Sequence, residues 1–364
     1  MRTQLLHYLC CPHTRQPLTA IDFCSGSQFT AEVAVETDAE IEHGVLTADR
    51  RHAYPIWNGI PRVLPSGLRS FPAFTERFRD ELARCNMDLA DQNRTASRGT
   101  SVAVKKQFER QWAWWGCEEK LYGRTPDEWE ELLRNGYIGA NFQGDCFDGQ
   151  CVLDAGCGHG VFSRALARMG AHVIAVDFGN GIEVARDNCR DHPSIDFVQA
   201  DILHLPIAGR PFDLVYCHGV LPFVPSPESG FVSLANVTNI GGYLRIWVYP
   251  RGGTIWEATQ NLLRGVLSRL PSRVLYYLCF VPVPLLSIVQ TYSNTSLATS
   301  TWRQCAQVVW DYYSSPIQWH FTPEAVAAWF RESGFGEVDF LPIPISALGK
   351  KTEANRRESK IQQC

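Results

Sequence analysis

The chain has 364 residues, of which 45% are hydrophobic and 20% are charged, so it is an ordinary globular sequence with a sizeable core. Its formal net charge of −4 argues against a general nucleic-acid binder, because contacts with phosphates need an excess of Lys and Arg. The thirteen cysteines are odd in number and scattered, and no secretory signal opens the chain, so we expect reduced thiols and a cytoplasmic protein. No run of about 18 apolar residues predicts a transmembrane helix.

Residues 1–66 contain acidic segments with the alternating residue pattern of β-strands. Near their end they read Tyr-Pro-Ile-Trp-Asn-Gly-Ile-Pro at positions 54–61. This ending resembles the small zinc-ribbon-like domain that activates methyltransferases and is often fused to them. A structural zinc site needs four ligands. Cys11 is present, but Thr14 stands where that family has its second cysteine, and the second pair falls near Thr47 and Arg50. We therefore predict a degenerate, metal-free α+β module in which the apolar side chains of 54–60 replace the metal.

A different set of metal ligands would need an unusual spacing. The remaining candidates are Cys11, His13, Cys24, His43 and His52. Their spacing fits no zinc pattern, and no metal is assigned to them.

Residues 67–104 are polar and irregular, and we interpret them as a linker with one helical piece around 74–90. A helix is predicted from Val102, and the short stretch 108–115 contains one Phe and three Trp. Two interpretations of this aromatic cluster stay open, a lid over a cofactor or substrate and a helical cap packed on the sheet. A second helix is predicted after Thr125, because a capping residue, a proline and acidic residues follow one another there.

Strand and helix patterns alternate between residues 148 and 250, which predicts a parallel sheet wrapped by helices. The predicted strands are 151–154, 172–177, 195–198, 212–217 and 243–249. The first strand runs into Asp154 and a turn with glycines at 156, 158 and 160, after which a helical pattern begins. Glycines let a ligand approach the backbone closely, and the start of a helix offers free N–H groups. The turn therefore predicts a nucleotide site at the carboxyl end of the sheet.

The spacing of these glycines differs from that of a dinucleotide site, which typically reads Gly-x-Gly-x-x-Gly. Asp177 ends the second strand and Asp201 follows the third in the sequence Gln-Ala-Asp-Ile. Together these ordered motifs resemble those of the class I S-adenosylmethionine-dependent methyltransferases over roughly residues 105–345. The resemblance implies an α/β fold with a Rossmann-like, mostly parallel sheet, helices on both faces, and S-adenosyl-L-methionine as the cofactor.

The resemblance also implies roles for individual residues. Asp154 and the turn would hold the methionine end of the cofactor, and Asp177 would accept both ribose hydroxyls, for which a carboxylate has enough acceptor sites. Asp201 and Ile202 would contact the adenine. The full set of implied cofactor residues is Asp154, Gly156, Cys157, Gly158, Asp177, Phe178, Asp201, Ile202 and Cys217.

Residues 217–223 and 240–249 resemble the type 11-like small-molecule methyltransferases, although Pro222 and Phe223 replace two histidines of that group. An insert at 251–300 follows, and its apolar part has three interpretations: a buried helical lid, a wall for an apolar acceptor, or a membrane-surface helix acting through 256–290. The methyltransferase domain would cover 105–348, followed by a polar, disordered tail at 349–364.

Candidates for the acceptor site follow from chemistry. If the acceptor carries a proton at neutral pH, a base is needed, and the predicted bases are His218 and then His320. Tyr249 would orient the acceptor. The sequence therefore predicts methyl transfer to a small, apolar or aromatic acceptor. Two alternatives stay open, an RNA or protein methyltransferase that uses the N-terminal module for recognition and a cofactor-binding scaffold without catalysis.

Overall fold

The computed structural model describes residues 1–34, 39–87, 99–116, 124–139, 142, 146–281, 301–343 and 345–352. Its strands are β1 Thr19–Asp22, β2 Gln28–Phe29, β3 Gly44–Thr47, β4 Ala53–Trp57, β5 Ile60–Val63, β6 Cys151–Ala155, β7 His172–Asp177, β8 Ile195–Ala200, β9 Phe212–His218, β10 Thr238–Trp247, β11 Phe335–Leu341 and β12 Ser346–Lys351. Its α-helices are α1 Ala31–Ala34, α2 Pro72–Arg77, α3 Arg79–Arg84, α4 Gly99–Trp115, α5 Pro126–Arg134, α6 Val161–Arg168, α7 Gly181–Asn188, α8 Pro227–Val237, α9 Thr254–Leu267, α10 Ser272–Leu278, α11 Trp302–Ser314 and α12 Pro323–Glu332.

The strands form a 12-stranded sheet in the order β11-β12-β10-β9-β6-β7-β8-β5-β4-β3-β1-β2. Strands β10, β9, β6, β7 and β8 are parallel, and β12 and β11 add an antiparallel hairpin at one edge. The central strands are apolar and buried because helices cover both faces of the sheet. Helices α8 and α12 pack on one face, and α5, α6 and α7 pack on the other. The predicted α/β fold is confirmed.

The N-terminal module continues the same sheet. Strands β1 to β5 are antiparallel neighbours, and β5 then pairs in parallel with β8. The buried Arg62 of β5 donates to Gln199 Oε1 at 3.0 Å and to Glu183 Oε1 at 2.6 Å. At the other end of β8, Arg2 pairs with Asp196 at 2.8 Å. The module is therefore joined to the methyltransferase-like part by backbone pairing and by two ionic contacts.

The interior of this module is apolar around Cys11, the one candidate metal ligand in register with the resemblance. Tyr54 and Ile56 are fully buried in the main core, and the Cys11 thiol lies 3.2 Å from the Tyr54 hydroxyl. Trp57 packs instead on Phe74 of α2, with ring centroids 5.7 Å apart. In the part of the chain that the structure describes, no three His, Cys, Asp or Glu side chains meet in a way that could hold a metal ion.

Two predicted boundaries shift. Residues 67–87, assigned to a linker, form short helices that bury Phe74 and Leu82 against the module, so this part is packed structure. The predicted tail from Gly349 is wrong for its first residues, since β12 runs to Lys351. Gly349 packs under Phe330, and the buried Lys351 ammonium donates to the carbonyl of Ala235. The rest of the predicted tail, from 353 onward, lies outside the described residues.

The insert after β10 begins with α9 and α10. Its later part, residues 282–300, lies outside the described residues, so the prediction for that apolar stretch is not addressed. None of the helices in the described ranges has the length and apolar character needed to cross a membrane.

Candidate functional site

A cavity of about 530 Å³ lies at the carboxyl ends of the parallel strands. Nine of the predicted site residues line it: Gly156, Cys157, Gly158, Asp177, Phe178, Asp201, Ile202, His218 and Tyr249. Asp154, Cys217 and His320 are not part of its lining. The topology thus brings the cofactor motifs and one histidine to a single space.

The glycine turn is shaped by close packing on two sides. Gly156 and Gly158 have positive φ angles of +83° and +55°, a conformation that side chains with a Cβ rarely adopt. A Cβ on Gly156 would lie 2.2 Å from a methyl group of Val220, and one on Gly158 would lie 2.6 Å from the Trp112 ring. Only glycine fits at either position, and the backbone itself forms the wall of the cavity.

Asp177 connects this turn to the end of β7. Its carboxylate accepts hydrogen bonds from the backbone N–H of Gly158 at 3.0 Å and of Gly179 at 2.8 Å. Burial raises the pKa of Asp177 to about 6, although both hydrogen bonds oppose this rise. A carboxylate oxygen has two lone pairs, so acceptor capacity remains for a pair of ribose hydroxyls.

Asp154 occupies a different environment from the one predicted for it. Its carboxylate is buried beneath the turn and accepts a hydrogen bond from the Ser163 hydroxyl of α6 at 2.5 Å. Burial raises the pKa of Asp154 to about 7. Cys217 is also buried behind the cavity wall, and burial raises the pKa of its thiol to about 12. In this arrangement Asp154 ties α6 to β6 and supports the turn from below.

Asp201 and Phe178, which the motifs assign to the adenine, both line the cavity. Asp201 caps a short 3₁₀ helix at Ile202–His204 by accepting from Leu203 N–H at 2.9 Å. The Lys105 ammonium lies 5.4 Å from the centroid of the Phe178 ring, a cation–π contact at the edge of the cavity.

Helix α4 forms the roof over this half of the cavity. Phe108 and Trp112 line the cavity, and the Trp112 ring stacks on His159 with centroids 5.0 Å apart. Trp115 turns the other way and packs edge-on against Trp310 of α11 at 5.0 Å. One face of this helix therefore meets the cavity, as a lid would, and another packs on the helices around α11 and not on the sheet.

The opposite wall is built around His218 and a buried arginine that the sequence analysis missed. Arg245 of β10 has no solvent exposure, and its Nη1 lies 2.7 Å from His218 Nδ1. Its guanidinium lies between the rings of Tyr137 and Tyr216, 5.0 Å and 4.8 Å from their centroids. Trp247 stacks on the other side of His218 at 4.7 Å. The only sequence feature that could have predicted this buried arginine is its position as a single charge within the apolar residues 244–248, Leu-Arg-Ile-Trp-Val.

The contact with Arg245 decides which nitrogen of His218 carries the proton. A guanidinium only donates hydrogen bonds, so Nδ1 must accept and the neutral ring carries its hydrogen on Nε2. Burial and the charge of Arg245 hold the pKa of His218 well below its ordinary value. A neutral ring that accepts from Arg245 at Nδ1 and carries its hydrogen on Nε2 has no free lone pair with which to take up a proton. This geometry favours a donor role for His218 over the predicted role of general base.

Tyr249 and His320 lie near each other, with ring centroids 6.1 Å apart. Tyr249 lines the cavity, and burial raises the pKa of its hydroxyl well above the ordinary value. His320 is half-buried outside the lining, and burial lowers its pKa. Tyr249 is therefore placed to contact an acceptor as a neutral phenol, and His320 is placed behind it.

Comparisons with known proteins agree with this site. Residues 153–246 match the model of a methyltransferase domain family. A ubiquinone biosynthesis O-methyltransferase from Pectobacterium atrosepticum is 31% identical over 161 residues, which is 43% of this chain and 65% of that protein. A demethylmenaquinone methyltransferase from Clavibacter sepedonicus is 29% identical over 192 residues, which is 52% of this chain and 67% of that protein.

Among solved structures, similarity extends to a complex of the Haloferax volcanii Trm112 methyltransferase activator with a protein described as a methyltransferase. The match has a TM-score of 0.41 and 13% identity, and it covers 68% of this chain and 98% of the other. The chain spans only 65% of the first curated relative, so that relative's whole activity does not transfer with the match. The domain match agrees with the family predicted for the part of the chain that carries the motifs: residues 153–246 are similar to a methyltransferase domain.

Proposed function

We propose that the protein transfers a methyl group from S-adenosyl-L-methionine to a small aromatic acceptor. The observation that carries this proposal is a single cavity with two different walls. One wall contains the glycine turn, Asp177 and Asp201, and the other contains His218 and Trp247. A cofactor and a flat acceptor can therefore meet in one enclosed space, where positioning accounts for most of the catalysis.

The cofactor wall fits the methyl donor. When bound, S-adenosylmethionine supplies an activated methyl group on a sulfonium. Asp177 would accept the ribose hydroxyls, Asp201 would accept from the adenine amino group, and the turn would leave backbone room for the methionine end. A Cβ at Gly156 or Gly158 would push Val220 or Trp112, which both line the cavity, so the two glycines keep the shape of the space that a closely bound ligand needs.

The acceptor wall fits an aromatic ring. It is lined by Trp129, Tyr137, Phe162, Trp247 and Tyr249, with few charged groups. The relatives are named for ubiquinone biosynthesis and for demethylmenaquinone, which supports a ring of the quinone or hydroquinone type as the first class to test.

A methylation assay with labelled cofactor tests the proposal. The purified chain is incubated with a panel of phenols, catechols and hydroquinones, and with RNA and an unfolded protein as the competing acceptor classes. We expect label in an aromatic product, and Asp177→Asn should lower its yield when the cofactor concentration is limiting. Label in RNA or protein would favour the alternative use of the N-terminal module. Cofactor binding without transfer to any acceptor would favour a scaffold.

The finer assignments of the two flanking regions are also proposals. The ending at 54–61 and the five-stranded module support a degenerate methyltransferase-activator domain at 1–66, inside the predicted boundary. On α9 and α10, Leu262, Val266 and Tyr277 are 72%, 59% and 73% exposed, which supports contact with a lipid surface or a lipid-like substrate. Binding to phosphatidylcholine vesicles that is lost in Leu262→Glu would support this contact, and equal binding of the wild type and the variant to the vesicles would contradict it.

A further inference from the structure

The charge of Arg245 is not balanced by a carboxylate in the part of the chain that the structure describes. Its side chain is fully buried in the middle of the sheet, and its Nε and Nη2 have no hydrogen-bond partner among the described residues. Its remaining nitrogen, Nη1, contacts the neutral ring of His218, which does not balance the charge. A buried charge without a partner is costly, and two flanking tyrosine rings compensate only part of that cost.

His218 carries this charge to the cavity. Its Nδ1 accepts from Arg245, and the Tyr216 hydroxyl lies 3.4 Å from the same nitrogen. The Nε2–H is on the other edge of the ring, the hydrogen bonds found for His218 among the described residues all involve Nδ1, and the residue lines the cavity. A donor that is polarised by a cation behind it prefers an oxygen that bears negative charge.

We propose that the acceptor binds as an anion, with a phenolate-type oxygen on His218 Nε2–H and the positive charge of Arg245 behind that ring. This inference rests on the proposed function and specifies the chemical class of its acceptor. His218 would contact the substrate, and Arg245 would be a positioning residue that acts through it.

The chemistry balances without a protein base. The phenol loses its proton to solvent as it binds, and its oxygen then attacks the methyl carbon. The C–O bond forms from an oxygen lone pair, and the S–C bond breaks with its electron pair left on sulfur. The negative oxygen and the positive sulfonium become a neutral ether and a neutral thioether. The negative charge on the acceptor disappears in this step, so Arg245 does not stabilise the product. Arg245 instead increases the fraction of bound acceptor that is ionised. For an ordinary phenol free in water at pH 7, that fraction is only about one part in a thousand.

Other titratable groups lie on the same side of the cavity. Arg124 and Tyr137 near the two ends of α5, Tyr249 after β10, and Asp311 and Tyr312 on α11 line the cavity, and Tyr216 on β9 lies beside His218. Burial raises the pKa values of Tyr137, Tyr216 and Tyr249, so these phenols stay protonated at neutral pH. A protonated amine would meet the Arg245 charge and is disfavoured as an acceptor.

The test measures ionisation of a bound phenol, independently of turnover. The full chain, saturated with S-adenosylhomocysteine, is titrated with 4-nitrophenol, whose ionised form has its own visible absorption band. We expect the bound probe to be at least about tenfold more acidic than the free probe. Arg245→Met and His218→Phe should abolish this difference, while His218→Gln, which can still accept from Arg245 and donate to the probe, should retain part of it.

A matched control removes a different buried cation. Lys351 is also fully buried, on the neighbouring strand β12, and it contacts Ala235 away from the cavity. Lys351→Met should leave the acidity of the bound probe unchanged, and equal cofactor affinity in all variants shows that they are folded.

Several results would overturn the inference and leave the proposed function standing. One is failure of 4-nitrophenol to bind, and another is equal acidity of the bound and the free probe. A third is an Arg245→Met variant in which the bound probe is as acidic as in the wild type. The last is methylation of aromatic amines but not of phenols. Absence of cofactor binding in the wild-type chain would instead overturn the proposed function.

Discussion

Replacing Asp177 by Asn should stabilise the free protein at alkaline pH while it weakens cofactor binding. Burial raises the pKa of Asp177 from 3.8 to about 6. A carboxyl group whose pKa is raised in the folded state favours folding while it is protonated. That contribution is complete below about pH 3.8 and is lost as the pH rises through about 6. Asn is neutral at every pH, so it removes the free-energy cost of ionising this position.

The magnitude follows from the two pKa values. A difference of about 2.2 between them corresponds to about 3 kcal/mol of unfolding free energy at pH 8 and to about half of that at pH 5. Asn accepts at one oxygen only, so one of the two hydrogen bonds from Gly158 and Gly179 is lost, at a cost of about 1 kcal/mol. The carboxylate also faces a cavity open to water, which lowers the free-energy cost of its ionisation. We therefore expect Asp177→Asn to raise the unfolding free energy by a net amount of about 1–2 kcal/mol at pH 8 and by almost nothing at pH 5.

Denaturant unfolding at the two pH values measures this difference, and calorimetry with S-adenosylhomocysteine measures the cofactor. Affinity should fall about 10- to 100-fold, since a hydrogen bond to a charged group is worth about 1.5–3 kcal/mol. Asp196→Asn is the matched control, because Arg2 and His172 hold the pKa of Asp196 below its ordinary value. It should therefore lose stability at pH 8. The reasoning about Asp177 is refuted if Asp177→Asn changes the unfolding free energy by the same amount at pH 8 and at pH 5.

Two further substitutions test the packing around the site. Gly158→Ala should weaken S-adenosylhomocysteine binding at least about tenfold in calorimetry, because a left-handed alanine costs about 1–2 kcal/mol and its Cβ would displace Trp112. Gly209→Ala imposes the same backbone strain where no atom lies within 4 Å, so equal losses of affinity in both variants would contradict the role of the clash. Arg62→Met should lower the unfolding free energy by about 2 kcal/mol in denaturant titrations, since the buried Gln199 loses its partner. An unchanged transition would show that this contact does not hold the N-terminal module.

Local patterns were sufficient to predict the cofactor half of the site. Asp177 ends an apolar strand and Asp201 follows the next one, and the carboxyl ends of parallel strands meet at one edge of a sheet. The order of the motifs along the chain therefore placed both acids in one cavity. Asp154 shows the limit of this reasoning. Its position in the strand was predicted, but its burial against Ser163 depends on how α6 packs.

The acceptor half depends on contacts between distant parts of the chain. Arg245 is a single charge in a strand, a pattern that equally fits a solvent-facing position. Its burial follows from the pairing of β10 with both β9 and β12, and its ring contacts come from Tyr137 and Tyr216, 108 and 29 residues away. The pairing of β5 with β8 is a similar case, because short apolar strands carry no signal for a partner more than a hundred residues away.

Asp177 and Arg245 share one physical property although they lie on opposite walls of the cavity. Each keeps a charge in a place where the fold alone would be more stable with a neutral side chain of similar size. Burial opposes the ionised form of Asp177, and Arg245 has no acidic partner among the described residues. Charges of this kind are retained where a ligand completes their environment, here the ribose hydroxyls on one wall and an anionic oxygen on the other. If this is correct, saturation with both S-adenosylhomocysteine and a phenol should raise stability most in the wild type, and neutral substitutions at the two positions should each remove one part of that gain.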